Sequence, residues 1–280
     1  MTLSEWLKKA EVRLLDGPHS ERARRDAEAL LLHLLRRDRA WLIAHSNESL
    51  QEEARYSSLI ERRLQGEPIQ YITGETEFYG RVFRVHPGVL IPRPETEHLI
   101  EKTLELTPAF PAPRIVDVGS GSGAIAITLA AELPLAQISS IDISPAALAI
   151  ARENAALIQV AVRFLEGDLL APVAEEQFDF VVSNPPYVPT TDRDSLSVEV
   201  RDYEPALALF ADADGLSIYR RLIPAAHKIL LPGGWLLMEI GYGQSEPITA
   251  LLAASGFAQI CFTADLQGIP RVAVAQKRTH

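Results

Sequence analysis

The chain has 280 residues, 47% hydrophobic and 23% charged, enough for a sizeable core in one large or two modest domains. Its single cysteine, Cys261, excludes an internal disulfide and a thiolate metal cluster; the seven histidines lack ligand spacing, and no uncharged apolar run nears the ~20 residues of a membrane span. The net charge of −10 is uneven, with 12 Lys and Arg against 11 Asp and Glu in residues 1–65 but 15 against 26 beyond, which weighs against nucleic acid as the ligand of the acidic part.

No metal is therefore expected. The lone cysteine points to a reducing cytoplasm, and Glu5 followed by Lys8-Lys9 without an apolar segment does not make a signal peptide.

Residues 1–66 read as a small helical bundle. Leu3, Leu7, Ala10 and Leu14 recur at helical spacing before Asp16-Gly17-Pro18 stops the helix. Ser20 opens a second helix with an apolar stripe at Ala27, Leu30, Leu31, Leu34 and Leu35. A third covers Arg39 to His45, and a fourth runs from about Leu50 to Leu64, ending near Gly66. The bundle carries no chemistry, so its functional reading is recognition of a partner.

Residues 67–93 are a connector. Phe78 to Val85 alternates around Gly80 and predicts a β-hairpin. Residues 94–280 form the third part. Glu95, Thr96 and Glu97 open a helix to about Leu106, with acids at its positive end. Strands and helices then alternate, which predicts an α/β fold with a mostly parallel sheet. Strands are expected at 114–118, 137–142, 162–165, 178–183 and 234–240, and helices at 124–132, 146–157, 216–230 and 245–254. The tail, Phe257–Thr263 and Arg271–Ala275 around a loop, predicts an antiparallel hairpin added to that sheet.

Two stretches carry chemistry. Asp117-Val-Gly119-Ser120-Gly121-Ser122-Gly123-Ala124 is a strand end, a glycine loop and a helix start, where the backbone can approach a ligand without Cβ clashes. Asp142 ends the next strand, where an acid can grip ribose hydroxyls, and Asp168-Leu169 follows the third, within reach of an adenine. The loop and ribose acid alone also fit a dinucleotide fold. Asp117 differs from that pattern: a carboxylate two residues before the loop can hold the loop or face a cationic amino-acid tail.

The second stretch is Phe178 to Tyr187. A buried strand stops at Asn184-Pro185-Pro186-Tyr187, where the prolines lack N–H groups and push the chain out of the sheet. Asn184 and the free proline carbonyls make a rigid cup of acceptors beside the Tyr187 ring, suited to a planar NH2 group. Asn-Pro-Pro-Tyr resembles the signature of methyltransferases acting on planar nitrogens, either nucleobase amines or a glutamine amide.

The resemblance sharpens with Gly66-Glu-Pro-Ile-Gln-Tyr-Ile-Thr-Gly74, Phe78-Tyr-Gly80, Pro87 to Glu97, Asp117 to Ile125, Ser183 to Pro189, Glu204 to Phe210 and Asp214-Gly-Leu216. These are similar to the HemK/PrmC family, collinearly from about residue 26 to the end. That implies a Rossmann-like, class I S-adenosylmethionine-dependent methyltransferase with a seven-stranded sheet, whose terminal hairpin supplies the reversed strand. It implies methylation of the glutamine N5 in the Gly-Gly-Gln loop of class I peptide-chain release factors, which the bundle engages, with no membrane and no direct nucleic-acid contact. The alternative is an adenine or guanine amino-methyltransferase acting on nucleic acid. By resemblance Asp117, Gly119, Ser120, Gly121, Ser122, Gly123, Asp142, Asp168, Leu169 and Asn184 bind the cofactor, and Asn184, Pro185, Pro186 and Tyr187 the substrate. Asn184 Oδ1 and the Pro185 carbonyl would accept the two amide N–H groups while Tyr187 packs on the amide. Tyr79, Phe83, Arg93, Glu95 and Thr96 are candidates for a roof, with structural roles equally open.

Overall fold

The structure, a computed structural model, describes residues 1–279. The chain divides into two compact units.

The first unit comprises Met1–Glu75 and Leu196–Tyr203. Its helices are α1 (Leu3–Leu14), α2 (Ala23–Leu35), α3 (Arg39–Ala44), α4 (Glu53–Leu64) and α5 (Ile69–Thr73). A capping box opens α1: the Thr2 hydroxyl accepts from Glu5 N at 3.2 Å and the Glu5 carboxylate from Thr2 N at 2.9 Å. The Asp38 side chain caps α3. The apolar stripes meet in a core of Leu3, Trp6, Leu7, Leu30, Leu31, Tyr56 and Ile60. Trp41 is half-buried against it. The expected bundle stops at Gly66, but the unit continues through α5, because Glu67-Pro68 turns the chain without ending its packing.

The segment 196–203 enters this unit through a buried charge. Arg63, 2% exposed, donates to Asp26 Oδ2 at 2.6 Å and to the Glu67 carbonyl at 2.9 Å. Its Nη1 also lies 2.5 Å from Glu199 Oε1, on the helical turn Val198–Tyr203. Removing one partner of a buried ion pair leaves the other charge uncompensated, at a typical cost of about 3 kcal/mol or more. Arg63→Ala is thus expected to lower the melting temperature of this unit by calorimetry. An unchanged transition would mean that Asp26 is not held by Arg63 in solution.

The second unit, Thr76–Ser195 and Glu204 onward, begins with the hairpin β1 (Glu75–Phe78) and β2 (Arg81–Arg84), followed by helix α6 (Glu97–Leu106). Then come β3 (Arg114–Val118), helix α7 (Ala124–Glu132), β4 (Gln137–Asp142), helix α8 (Pro145–Ile158), β5 (Arg163–Glu166) and β6 (Phe178–Ser183). Helices Ser217–Ile229 and Ser245–Ala254 flank β7 (Leu230–Glu239), and β8 (Phe257–Ala264) and β9 (Pro270–Lys277) finish the sheet.

The sheet has seven strands in the order β5-β4-β3-β6-β7-β9-β8. The first five run parallel, and β9 pairs antiparallel with both β7 and β8. Helices cover both faces, over one core around Phe178, Leu236 and Tyr219 and another around Phe83, Ile100, Ile127 and Phe180. The strands are apolar on both faces for that reason. β7 starts at Leu230 rather than at the expected 234. Pro232 and Gly233 make a bulge, so that Phe178 pairs with Leu230 but Phe180 with Trp235. The strand order reverses between β3 and β6, the place where such sheets hold ligands beyond their carboxyl ends.

Candidate active site

A cavity of about 420 Å³ opens at that place, within the range of small-molecule sites. The glycine loop after β3, the ends of β4 and β5, and Asn184 to Pro186 after β6 all line it.

The glycine loop is stitched down by its own backbone. Gly119 N and Ser120 N donate to the Ile141 carbonyl at 2.8 and 3.0 Å, and Gly123 N to Ser120 O at 2.7 Å. Gly123 has φ +83°, and a Cβ there would lie 2.6 Å from Ile127 Cδ1 and 3.1 Å from Ala151 Cβ, so only glycine lets α7 and α8 pack this closely. Asp142 ties the glycine loop to its own turn, its Oδ2 accepting from Gly121 N and its Oδ1 from Ser144 N at the start of α8, each at 2.8 Å. Each oxygen keeps a lone pair for a ligand hydroxyl.

Asp117 stands under the loop and is fully buried. Its Oδ2 accepts from Ser140 Oγ at 2.7 Å, while its Oδ1 and the buried Ser120 hydroxyl have no partner among the described residues. Burial pushes the Asp117 carboxyl up to about 7; the Ser140 hydrogen bond opposes this and the nearby Asp142 charge adds to it. Asp117 and Gly123 are behind the cavity wall; Gly119, Ser120, Gly121, Ser122, Asp142, Asp168, Leu169, Asn184, Pro185 and Pro186 are part of it. Asp168 is at the lip, its carboxylate ion-paired with Arg221. The pair engages Oδ2 and is half exposed, so it does not exclude the adenine contact expected of Asp168.

Asn184 is held by a chain of side chains. Its Nδ2 donates to Thr96 Oγ1 at 3.1 Å, and Thr96 Oγ1 donates to Glu239 Oε2 at 2.6 Å. The Tyr187 hydroxyl donates to the other oxygen, Glu239 Oε1, at 3.0 Å. Glu239 is fully buried, which raises its pKa against the opposing hydrogen bonds from Thr96 and Tyr187. Burial and the Glu239 charge likewise hold the Tyr187 hydroxyl above its usual range, so it stays a donor. The Tyr187 hydroxyl is thus turned to Glu239 and its half-buried ring packs against the core, next in sequence to Asn184–Pro186 of the cavity wall; packing on an amide is expected of it. Asn184 Oδ1 and the Pro185 carbonyl accept no hydrogen bond among the described residues.

Of the roof candidates, Arg93 and Thr96 line the cavity, and Arg93 is ion-paired to the buried Glu204 at 2.5 Å. Phe83 is wholly in the core, Tyr79 packs against that core, and Glu95 is exposed. The wall also uses Val89, Leu90, Ile143, Pro205, Leu207 and Arg221, which the sequence reading passed over. Val89, Leu90, Ile143 and Pro205 come from loops with no regular period, Leu207 from the helical turn Ala206–Leu209 and Arg221 from the helix Ser217–Ile229. Glu239 did leave a signal, a single acid within Leu236-Leu-Met-Glu-Ile240, as odd in a buried strand as Asp117. No group of His, Cys, Asp and Glu that could hold a metal ion occurs among the described residues, and no helix there is long and apolar enough to cross a membrane.

Comparison with known proteins gives two family matches, a PrmC N-terminal domain over residues 5–74 and a methyltransferase small domain over residues 96–200. The release factor glutamine methyltransferase of Koribacter versatilis is 46% identical over the whole of both chains. That of Geobacter sulfurreducens is 45% identical over 90% of this chain and 89% of its own. Among solved structures, a Thermus thermophilus 16S rRNA methyltransferase in complex with AdoMet and guanosine aligns at a TM-score of 0.53 and 21% identity. It covers 73% of this chain and 50% of that one, a likeness of fold.

Proposed function

The chain belongs to the release factor glutamine methyltransferase family, and from that premise we propose that it methylates the side-chain N5 of the glutamine in the Gly-Gly-Gln loop of a class I release factor, in the cytoplasm. The observation that carries this reading is the acceptor pair of the cup, Asn184 Oδ1 and the Pro185 carbonyl, free of protein partners on the cavity wall. Two acceptors in a rigid frame match the two N–H groups of a primary amide.

The methyl donor is S-adenosylmethionine, whose sulfonium makes the bound methyl group electrophilic. The cavity fits such a group. Asp142 has lone pairs for ribose hydroxyls, and Asp117 and Ser120 leave buried polar atoms unsatisfied beside the glycine loop. An amide nitrogen is a poor nucleophile because its lone pair is delocalised. The two acceptors hold the amide plane and favour positive charge developing on nitrogen. Holding reacting groups in place contributes up to ~7–11 kcal/mol in well-oriented systems. No side chain of the cup is a base, and none is required if the proton leaves late to water. The roles of Asn184, Pro185, Pro186 and Tyr187 as substrate ligands, and of Asp117, the glycine loop, Asp142, Asp168, Leu169 and Asn184 as cofactor ligands, are part of this proposal. So are release-factor recognition by the N-terminal unit and the absence of direct nucleic-acid contact.

Mass spectrometry of a release factor incubated with the protein and S-adenosylmethionine is the test. A single methyl group on the Gly-Gly-Gln glutamine is expected. An unmodified factor, together with methylated adenine or guanine in an added oligonucleotide, would overturn the reading.

A further inference from the structure

The hydrogen bonds around Asn184 have a direction, and the direction starts at Glu239. A hydroxyl has one proton to give. Thr96 spends its proton on Glu239 Oε2, at 2.6 Å, so towards Asn184 it can only accept. The carboxamide must then turn Nδ2 to Thr96, as it does at 3.1 Å, and present Oδ1 elsewhere. The second Glu239 oxygen is occupied by the Tyr187 hydroxyl at 3.0 Å, so with Thr96 on the first the carboxylate has little freedom to turn. An amide side chain has nearly the same shape when flipped. Shape alone would not choose between Oδ1 and Nδ2 facing the cavity.

We propose that Glu239 is a positioning residue that, through Thr96, keeps Asn184 Oδ1 turned to the cavity and so makes the cup select a substrate NH2 over a substrate oxygen. This rests on the reading of the cup as a glutamine site. With Oδ1 outward, a glutamine enters with its nitrogen at the acceptors, while a glutamate at the same place sets oxygen against oxygen. Leaving polar groups unpaired in a closed site is how such sites reject an analogue. With Asn184 flipped, the same pocket would hold the glutamine by its carbonyl and point the nitrogen away.

Glu239→Gln removes the direction while keeping the shape. The new carboxamide can donate to Thr96, which frees the Thr96 proton for Asn184 Oδ1. Thr96→Val removes the relay, and Thr96→Ser restores its hydroxyl. For Glu239→Gln and Thr96→Val we expect kcat for release-factor methylation to fall tenfold or more, with cofactor Kd within twofold of the unaltered chain. Thr96→Ser is expected to recover most of the turnover lost in Thr96→Val, and the double variant Glu239→Gln/Thr96→Val to be no slower than the worse single one.

The decisive readout is binding. The unaltered chain is expected to bind a release factor with glutamine in the Gly-Gly-Gln loop better than one with glutamate there, and this preference should shrink at least fivefold in Glu239→Gln. A kcat within twofold of the unaltered chain, or a lowered kcat with the preference intact, would overturn the proposal; the second outcome is what simple loss of packing produces. Nuclear magnetic resonance of the Asn184 side-chain NH2 separates this from the substrate assignment. One proton protected from exchange in the unaltered chain and released in Thr96→Val supports the relay even if the factor is never methylated. Equal exchange in both would overturn the relay whatever the substrate.

Discussion

Asn184→Ala is expected to slow methyl transfer about 10²–10³-fold, the range seen when one preorganised polar group at a reacting centre is removed. Its Oδ1 is one of the two acceptors of the cup without a partner among the described residues, and alanine leaves no acceptor at that position. The loss should appear in the single-turnover rate. The glycine loop and Asp142 hold one another without Asn184, so calorimetry should find cofactor affinity little changed. Asn184→Asp should be as slow, because its carboxylate turns an acceptor towards a Thr96 hydroxyl already committed to Glu239. Near-native single-turnover rates in either variant would remove Asn184 from the reaction.

Asp117→Asn is expected to change how the protein responds to pH. In the fold the Asp117 carboxyl is raised from 3.8 to about 7, with burial the largest cause. A raised carboxyl favours its neutral form, so its contribution to stability is complete below pH 4 and is lost as pH rises through about 7. The full difference is on the order of 4 kcal/mol. Without cofactor, Asp117→Asn should therefore melt higher than the unaltered chain at pH 8, and the gap should close towards pH 5. A cationic amino-acid tail near the loop would reverse the balance by favouring the charged form. Added S-adenosylmethionine should then stabilise the unaltered chain more than Asp117→Asn, with affinity for the unaltered chain rising between pH 6 and 7.5. Parallel melting curves across that range would show that Asp117 is already ionised or already solvated.

Both predictions concern residues visible in the sequence, each for a local reason. Asp117 interrupts an apolar strand just before a run of glycines, and Asn184 sits between a strand end and two prolines. Neighbours along the chain set those backbones, so the glycine loop, Asp142 at its strand end and the Asn184-Pro185-Pro186 turn could be placed by counting. The sheet could be placed in the same way, since strands covered on both faces must be apolar runs. The start of β7 could not, because Pro232-Gly233-Gly234 reads as a turn and is a bulge inside a strand.

Contacts between distant positions were hidden. Val198–Tyr203 is a short charged turn with no period, and Arg63, Arg22 and His19, far back in the chain, give Glu199 its place. Thr96, Asn184 and Glu239 lie far apart in sequence, yet they share one line of hydrogen bonds. The same line ties the Tyr187 hydroxyl to Glu239. The amino-acid order by itself determined the class of fold, the glycine loop and the cup's backbone, because strand periodicity, glycine and proline act on their own neighbours. Which atom of Asn184 faces the cavity was decided only by folding, because a side-chain amide takes its direction from whichever donor or acceptor the tertiary structure brings beside it.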